Sequence, residues 1–346
     1  ALVCHRWGDV EDLRIEDVPV PELRPGCVRL QVAYAGLNFA LSLFVAGKYQ
    51  VKPPLPFVPG FDVTGTVTEV AAGITRIKPG DRVVAILDWG GFAESAVVPE
   101  ETVYPLPPEL DLQRAVCLPT SYGTAYGALA WRARVRPGET LLVHGAAGAI
   151  GLAAVELGRQ LGARVIACAS TEEKRAVALA RGAEVALPSA GFREKVRALT
   201  DGRGVDLVFD PVGGDVFDQS LRTLALEGRI LTMGFASGRI PQIPANILLV
   251  KNISVLGFNY GTYAGWGPRD ERRIHAPRMQ TMMSTLIDWM RSDRIQPRVS
   301  HCFELSQFAE AMRTVLQRRN AGKVALRIAA PGRGQRDGES EAALIR

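Results

Sequence analysis

The fold is decided by the stretch His144-Gly145-Ala146-Ala147-Gly148-Ala149-Ile150-Gly151, which follows a short apolar run and opens an amphipathic one. Written as A-x-G-x-x-G, this stretch is a variant of the glycine fingerprint found where dinucleotides bind. Small residues let the backbone turn tightly and approach a pyrophosphate, which then faces the N–H groups at the start of a helix. The same residues also suit a purely structural turn between a strand and a helix. The flanking sequence is therefore needed to distinguish a dinucleotide-binding loop from such a turn.

Apolar runs alternate with helical stretches on both sides of this loop. The predicted strands are Leu141–His144, Arg164–Ala169, Glu184–Leu187, Val205–Asp210, Arg229–Met233 and Ile253–Phe258. The predicted helices among them are Ile150–Leu161, Glu172–Arg181 and Phe192–Leu199. Continuous apolar strands in such a series are typical of parallel strands buried on both faces. The pattern therefore predicts an α/β protein with a doubly wound parallel sheet, a Rossmann domain over residues 121–259.

Residues 1–120 have a different pattern, with short strands separated by Gly, Pro and Asp. Strands are predicted at Val28–Ala33, Val63–Val70 and Arg82–Ile86. Short strands with β-branched residues and frequent turn signals favour a compact, barrel-like β domain.

The sequence after residue 260 leaves the strand–helix series. It predicts a loop over 261–278, helices over Gln280–Arg291 and Leu305–Arg318, and a strand over Lys323–Ile328. Residues 260–330 are expected to return to the first domain. The polar tail 331–346 is expected to be disordered.

The amino-acid composition excludes several classes of protein and partner. The chain has 346 residues, a net charge of +5 and 47% hydrophobic residues, enough for two domains with a sizeable core. No block of Lys and Arg occurs, so nucleic acid is not an expected partner. No apolar run reaches the ~18 residues of a membrane helix, and no membrane association is expected. Five cysteines without a C-x-x-C pair favour a reduced, cytoplasmic setting.

The residues after the second predicted strand bear on cofactor choice. NAD-binding domains place Asp or Glu there, about 20 residues after the fingerprint, to hold the ribose 2′-OH. This chain has Ser170 instead, with Lys174 one turn into the next helix. A hydroxyl and a cation suit the 2′-phosphate of NADPH, whereas a carboxylate would repel it. Ser170 also suits a helix N-cap, and the two roles are compatible.

Motifs spread along the whole chain carry a resemblance to a known family. They are Ala35-Gly36-Leu37-Asn38-Phe39, Gly47-Lys48-Tyr49, Pro59-Gly60-Phe61-Asp62, Lys78-Pro79-Gly80-Asp81-Arg82-Val83, Gly91-Phe92-Ala93-Glu94, Tyr122-Gly123-Thr124-Ala125-Tyr126, Asp210-Pro211-Val212-Gly213-Gly214 and Asn320-Ala321-Gly322-Lys323. In their order and spacing the chain resembles the zinc-free quinone oxidoreductases of the medium-chain dehydrogenase/reductase superfamily. The resemblance implies a GroES-like catalytic domain split over residues 1–120 and 260–330, a Rossmann domain between, a cofactor in the cleft, and a homodimer.

The resemblance also indicates which residues serve the cofactor and whether a metal is used. Zinc-dependent relatives carry Cys in the stretch matched by 36–41 and His where this chain has Phe61, and they have a four-Cys zinc lobe. Leu37, Asn38 and Phe61 supply no thiolate or imidazole, so no metal site is expected. The residues expected to bind the cofactor are Asn38, Thr124, Ala147, Gly148, Ala149, Ile150, Gly151, Ser170, Lys174, Val212, Gly234, Phe235, Arg318 and Arg319.

Without a metal, the simplest chemistry is hydride transfer from the nicotinamide itself. Tyr49 is the candidate hydrogen-bond donor to a developing substrate oxygen, and Asn38 is the candidate for holding the ribose or an acceptor oxygen. In enoyl-thioester reductases of the same superfamily a Tyr at the matched place acts as this donor. Both residues also have structural interpretations, Tyr49 as a half-buried aromatic and Asn38 as a turn residue.

Three functions stay open on the sequence. The first is NADPH-dependent reduction of quinones or related enones. The second is reduction of 2-enoyl thioesters, for which Arg269, Arg272 and Arg273 are the only hint of a basic groove. The third is a non-catalytic NADPH-binding protein, structural or RNA-associated, which the combination of the glycine-rich loop with Asn38 and Tyr49 disfavours.

Overall fold

The computed structural model describes residues 1–328, in two compact units. The chain passes from one unit to the other after residues 116, 301, 312 and 324. The tail 331–346, expected to be disordered, lies outside the described residues. Unit 1 comprises residues 1–116, 302–312 and 325–328, and unit 2 comprises residues 117–301 and 313–324.

Unit 1 is built on antiparallel strands. They are β1 (Leu2–Val3), β2 (Arg14–Ile15), β3 (Cys27–Leu37), β4 (Asp62–Val70), β5 (Arg82–Ile86), β6 (Ser95–Pro99) and β7 (Val103–Pro105), with the short helices α1 (Ala40–Val45) and α2 (Leu112–Ala115). β3, β4, β5 and β7 are neighbours in that order, β6 pairs with β3, and β1 pairs with β2. Val28, Leu30 and Val32 are fully buried along β3, which is the alternation expected of a half-buried strand. β3 runs four residues past the predicted strand, and Asn38 follows its end.

Unit 2 contains a parallel sheet covered by helices. Its strands are β8 (Thr140–Val143), β9 (Arg164–Ala169), β10 (Val185–Pro188), β11 (Val205–Asp210), β12 (Leu224–Thr232) and β13 (Ser254–Gly257). Its helices are α3 (Gly123–Tyr126), α4 (Ala149–Gln160), α5 (Glu172–Ala180), α6 (Phe192–Leu199), α7 (Gly214–Thr223), α8 (Ala245–Lys251) and α9 (Arg272–Arg291). The strand order is β10-β9-β8-β11-β12-β13 with every pair parallel. This confirms the predicted doubly wound sheet, whose strand order reverses between β8 and β11.

Apolar burial holds this sheet together. Leu142, Ile166, Val208 and Ile230, one from each of four adjacent strands, pack in one cluster and are fully buried. Phe217 from α7 joins the same cluster. Burial of each such side chain stabilises the folded state by about 1.5–3 kcal/mol. This packing holds the carboxyl ends of the strands in fixed positions.

The C-terminal part of the chain crosses between the units. β14 (Val299–Glu304) and β15 (Lys323–Arg327) each begin in unit 2 and end in unit 1, and α10 (Phe308–Leu316) lies between them in sequence. The two strands extend the sheet of unit 1 in the order β14-β15-β3.

The predicted loop over 261–278 is wrong. Residues Tyr260–Ala264 form a short 3₁₀ helix, and α9 already begins at Arg272. Pro277 lies inside this helix, and a proline normally argues against a helix interior. Burial of the Met279, Met282 and Met283 side chains outweighs that local preference.

The structure places residues 260–301 in unit 2, whereas the sequence analysis assigned 260–330 to the first domain. The cause is close packing on the helical segment around Gly123. A Cβ atom added to Gly123 would lie 2.5 Å from Tyr260 Oη and 3.3 Å from Met282 Cε. Tyr260 and α9 therefore belong with the parallel-sheet unit. Among residues 1–328, no helix combines the length and apolar character that crossing a membrane requires.

Candidate functional site

The glycine-rich loop joins β8 to α4 at the carboxyl end of the parallel sheet. Gly145 has φ +58, and its carbonyl accepts a hydrogen bond from Gly148 N–H at 2.9 Å. A Cβ atom on Gly151 would lie 2.2 Å from the Gly145 oxygen, so only glycine fits there. The first helical bond of α4 runs from Leu152 N–H to Gly148 O, which leaves the N–H groups of 149–151 ahead of the helical ladder. Such a helix start suits an anionic pyrophosphate.

A second turn, after β11, lies beside this loop. A Cβ atom on Gly145 would lie 3.5 Å from Pro211 Cγ and 3.9 Å from Val212 Cγ2. Asp210 Oδ1 accepts hydrogen bonds from Val212 N at 2.8 Å and Gly213 N at 3.1 Å. Burial raises the pKa of Asp210 to about 6. Asp210 thus fixes the turn that carries Val212, at the switch point of the sheet.

The loop after β12 borders the same turn and carries Gly234 and Phe235. Ala236 N–H donates to Pro211 O at 3.1 Å, and Ser237 N–H donates to Val212 O at 2.9 Å. The Phe235 side chain is 39% exposed. Gly234 and Phe235 therefore lie in the loop after β12, beside the turn that carries Val212.

The Lys174 side chain contacts the backbone of Arg318 after β9. Lys174 Nζ donates to the carbonyl oxygen of Arg318, and Arg318 Nη2 donates to Ala236 O at 2.6 Å. Burial and, secondly, the Arg318 charge lower the pKa of Lys174. Two like charges held close together attract an anion with several acceptor oxygens, and the exposed Ser170 precedes them.

The cap of α5 is Thr171, and not Ser170 as the sequence analysis allowed. The Thr171 hydroxyl accepts from Lys174 N–H at 3.3 Å. The N-cap interpretation of Ser170 was wrong by one residue, because β9 ends at Ala169 and α5 begins only at Glu172.

The remaining residues of unit 2 that are expected to bind the cofactor differ in how far they are buried. Thr124 is half-buried in α3, while Arg319 is exposed and its backbone N–H donates to Thr314 O. Gly322 N–H donates to Ala147 O at 2.9 Å, so the segment leading into β15 lies against the glycine-rich loop. Asn320 holds that segment by donating to Gly322 O at 2.7 Å.

The two candidate catalytic residues, Asn38 and Tyr49, both belong to unit 1, one on each side of α1 in sequence. Tyr49 is half-buried, its ring packs edge-on against Phe44 at 6.0 Å between centroids, and burial raises its pKa. Phe44 packs in turn on Phe61 at 4.8 Å. Asn38 Nδ2 donates to Asp62 Oδ2 at 3.0 Å.

The position where zinc-dependent relatives carry His is therefore occupied by a phenyl ring inside an aromatic cluster. Across residues 1–328, no group of three or more His, Cys, Asp or Glu side chains is arranged to hold a metal ion.

Sequence reasoning missed two buried carboxylates, Asp62 and Asp210. The motif Asp210-Pro211-Val212-Gly213-Gly214 did contain a signal, because an Asp two residues before backbone N–H groups at a helix start commonly accepts from them. Asp62 gave none, since its partner Asn38 is 24 residues away along the chain.

Family comparisons match both units. Residues 24–108 match the family described as alcohol dehydrogenase GroES-like domain, and residues 149–275 match the family described as zinc-binding dehydrogenase. Quinone oxidoreductase-like protein 2 of Rattus norvegicus is 39% identical over 331 residues, which are 95% of this chain and 92% of that protein.

Solved structures agree. The quinone oxidoreductase of Thermus thermophilus, determined alone and with NADPH, is 36% identical with a TM-score of 0.80, over 95% of this chain and 99% of that one. The quinone oxidoreductase of Escherichia coli complexed with NADPH is 25% identical with a TM-score of 0.84, over 94% and 99% of the two chains.

Proposed function

This chain belongs to the quinone oxidoreductase family of the medium-chain dehydrogenase/reductase superfamily, and on that premise we propose that it uses NADPH to reduce quinones, or related activated enones, by direct hydride transfer without zinc. Oxidoreductase activity follows from the family. We propose NADPH as the cofactor and a quinone or a related enone as the substrate.

One observation carries the choice of NADPH. The Lys174 ammonium group contacts the backbone carbonyl of Arg318, and besides burial the Arg318 charge is near enough to lower the pKa of Lys174; an NAD-binding domain places a carboxylate in this region after the second strand. Two neighbouring cations, together with the exposed Ser170 that follows β9, suit a 2′-phosphate, which carries close to two negative charges and three acceptor oxygens. The solved relatives from T. thermophilus and E. coli that were determined with NADPH support the same choice.

The residues of the glycine-rich loop fit a dinucleotide. A Cβ atom at Gly151 would collide with the Gly145 oxygen, and the N–H groups of 149–151 precede the helical ladder of α4. Bound NADPH would supply the hydride, and the protein's own part is to bind, orient and donate hydrogen bonds. A quinone accepts hydride readily and needs one proton besides.

Tyr49 is the proposed donor of that hydrogen bond or proton. Because burial raises its pKa, the phenol stays neutral and keeps its proton over a wide pH range. A neutral phenol can donate to an oxygen on which negative charge develops. The same property favours the second candidate, reduction of 2-enoyl thioesters, in which an enolate oxygen takes the place of the quinone oxygen.

The experiment compares NADPH with NADH as reductant for 1,4-benzoquinone and for a 2-enoyl-CoA. We expect quinone turnover with a clear preference for NADPH. In K174A/R318A we expect kcat/KM for NADPH to fall by about tenfold or more, because charge-assisted hydrogen bonds contribute about 1.5–3 kcal/mol each. The value for NADH should hardly change.

The matched control is K195A, which removes one exposed cation from α6 in the same unit. An equal preference for both cofactors in the unaltered protein would contradict the NADPH assignment. Turnover of the enoyl-CoA with none of the quinone would make the second candidate correct.

We also propose that the protein forms a homodimer through the β13 side of unit 2. β13 is the last strand in the order of its sheet and so offers an outer edge. The helix just before it, α8, exposes Leu249 at 78% and Val250 at 79%. Exposed apolar side chains beside an open sheet edge favour association with a second copy.

A further inference from the structure

We propose that Asp210 is a positioning residue for the cofactor: its ionised carboxylate holds the turn that carries Val212 in the shape that the dinucleotide needs, so that the affinity for NADPH falls when Asp210 takes up a proton. The inference deepens the proposed function and rests on it for the presence of NADPH. All the residues that carry it belong to unit 2.

The Asp210 carboxylate is tied to the backbone of the turn that follows β11. Its Oδ1 accepts from Val212 N–H at 2.8 Å and from Gly213 N–H at 3.1 Å, and its Oδ2 accepts from Gly213 N–H at 3.3 Å. Asp210 is 1% exposed, so water hardly competes for the carboxylate. Hydrogen bonds to an ionised acceptor are roughly twice as strong as those between neutral groups. The charge of Asp210 therefore decides how firmly the turn is held.

This turn borders the loop that is expected to bind the pyrophosphate. A Cβ atom on Gly145 would lie 3.5 Å from Pro211 Cγ and 3.9 Å from Val212 Cγ2. The loop and the turn follow β8 and β11, between which the strand order reverses, and a dinucleotide binds at that point of a doubly wound sheet. Residues 145–151 carry no charged side chain. A displaced Val212 turn would therefore alter the cofactor site itself.

The charged and titratable groups around Asp210 lie at the end of β8, on α7 and in the loop after β12. His144 follows β8, and burial lowers its pKa to about 3, so its ring is neutral. Asp215 and Asp218 of α7 both form ion pairs with Arg239. Burial raises the pKa of Asp210 to about 6, against the opposing effect of the two N–H groups. Asp210 thus changes its charge in a pH range in which His144 stays neutral.

The sign of the effect follows from the raised pKa. Asp210 is ionised at about pH 7.5 and mostly protonated at about pH 5, so affinity is complete above pH 6 and is lost as the pH falls through it. We expect the protonated form to bind NADPH about tenfold more weakly, because charge-assisted hydrogen bonds become neutral ones. With about a tenth of the protein ionised at pH 5, the dissociation constant should rise about fivefold.

The variant D210N tests this, because the amide keeps the size of the side chain and does not titrate. The 2′-phosphate of NADPH also titrates near pH ~6. The readout is therefore the ratio of the dissociation constant of D210N to that of the unaltered protein at each pH, in which the titration of the phosphate cancels. We expect a ratio of about ten at pH 7.5 and about two at pH 5. Quenching of tryptophan fluorescence gives the dissociation constants, and the Tm at both pH values verifies the fold.

The matched control is D206N, the same substitution earlier on β11. Asp206 accepts from Thr140 N–H at 2.8 Å and forms an ion pair with Arg203. Burial acts to raise the pKa of Asp206, but Arg203 and the Thr140 N–H lower it below its ordinary value, so this carboxylate stays ionised in the same pH range. We expect D206N to lower the Tm and to give a ratio near one at both pH values.

The unaltered protein provides an independent measurement with NADH, which lacks the 2′-phosphate. Its dissociation constant should rise about fivefold between pH 7.5 and pH 5. This measurement needs no variant and therefore tests the proposal even if D210N fails to fold.

A ratio for D210N that is the same at both pH values would overturn the proposal, because the loss of affinity would then come from a damaged turn and not from proton uptake. A dissociation constant for NADH that does not change with pH would overturn it too. Failure of the proposed function is seen separately: the expected pH dependence of NADPH binding without quinone turnover supports the role of Asp210 and rejects the substrate. An unaltered protein that binds neither cofactor would overturn both.

Discussion

At the scale of single residues, the proton affinity of the Tyr49 phenol depends on the aromatic side chains around it. The ring lies edge-on to Phe44, which packs on Phe61, and burial raises the pKa of the phenol. The ionised form is therefore disfavoured and the proton is retained. For the proposed reaction, the aromatic cluster therefore keeps the Tyr49 proton available for donation.

Removal of the Tyr49 hydroxyl tests this role. In Y49F we expect kcat for quinone reduction to fall by about a hundredfold, the low end of what a positioned proton donor contributes. KM for NADPH should stay nearly constant. At saturating NADPH the unaltered enzyme should keep its kcat as the pH rises to about 10, the ordinary value for a phenol, because a raised pKa retains the proton of Tyr49 to higher pH.

The control for this prediction is Y34F, which removes a hydroxyl from β3 in the same unit. Unchanged kcat in Y49F would mean that Tyr49 is an ordinary half-buried aromatic. A kcat at saturating NADPH that declines well below pH 10 would contradict the raised pKa of Tyr49.

Positions that depend on local spacing could be predicted from the sequence, whereas contacts that depend on the tertiary structure could not. Ser170 and Lys174 follow β9 directly, so the strand pattern alone located them. Arg318 was indicated only by resemblance, because its contact with Lys174 spans 144 positions of the chain. Asp62 escaped notice because strand register, which no local pattern reveals, brings it to Asn38.

At the scale of elements, the turn between β8 and α4 depends on close backbone contact. The absence of a side chain at Gly151 lets the start of α4 approach the Gly145 carbonyl. In G151A the added Cβ would lie 2.2 Å from that oxygen, and α4 would have to move. Overpacking of this kind costs about 1–3 kcal/mol.

We therefore expect G151A to lower both the Tm and the affinity for NADPH, measured by thermal unfolding and fluorescence quenching. A180S is the matched control, because it adds a single heavy atom at an exposed position of α5 in the same unit. If G151A matched A180S in both measurements, the close approach of α4 to Gly145 would not matter for stability or for NADPH binding.

Element boundaries were predictable where side-chain chemistry marks them. The predicted bounds of β9, α6 and β11 agree with the structure to the residue. One error lies at 261–278, where Pro277 and the glycines at 261, 265 and 267 argue locally against a helix. There, burial of methionines decides the structure, and such burial depends on partners that are far away in sequence.

At the scale of the whole molecule, the homodimer stays a prediction with a direct test. We expect L249K/V250K to convert the dimer to a monomer, measured by size-exclusion chromatography with light scattering, because charges on α8 would oppose burial of this surface. L179K alters a 46% exposed leucine on α5 and is the control. A dimer that survives the double substitution must use another surface.

The repeated passage of the chain between units also constrains biosynthesis. β15 lies between β14 and β3 in the sheet of unit 1, yet β15 is made from residues 323–327 and β3 from residues 27–37. A ribosome therefore finishes every strand of the parallel sheet before it supplies the last two strands of the antiparallel one. The part of the β3 edge that β15 will cover waits unpaired until the ribosome has translated residues 38–322, exposed to the wrong partners that open strand edges attract. The N-terminal strands must therefore avoid mispairing throughout the synthesis of the parallel-sheet unit.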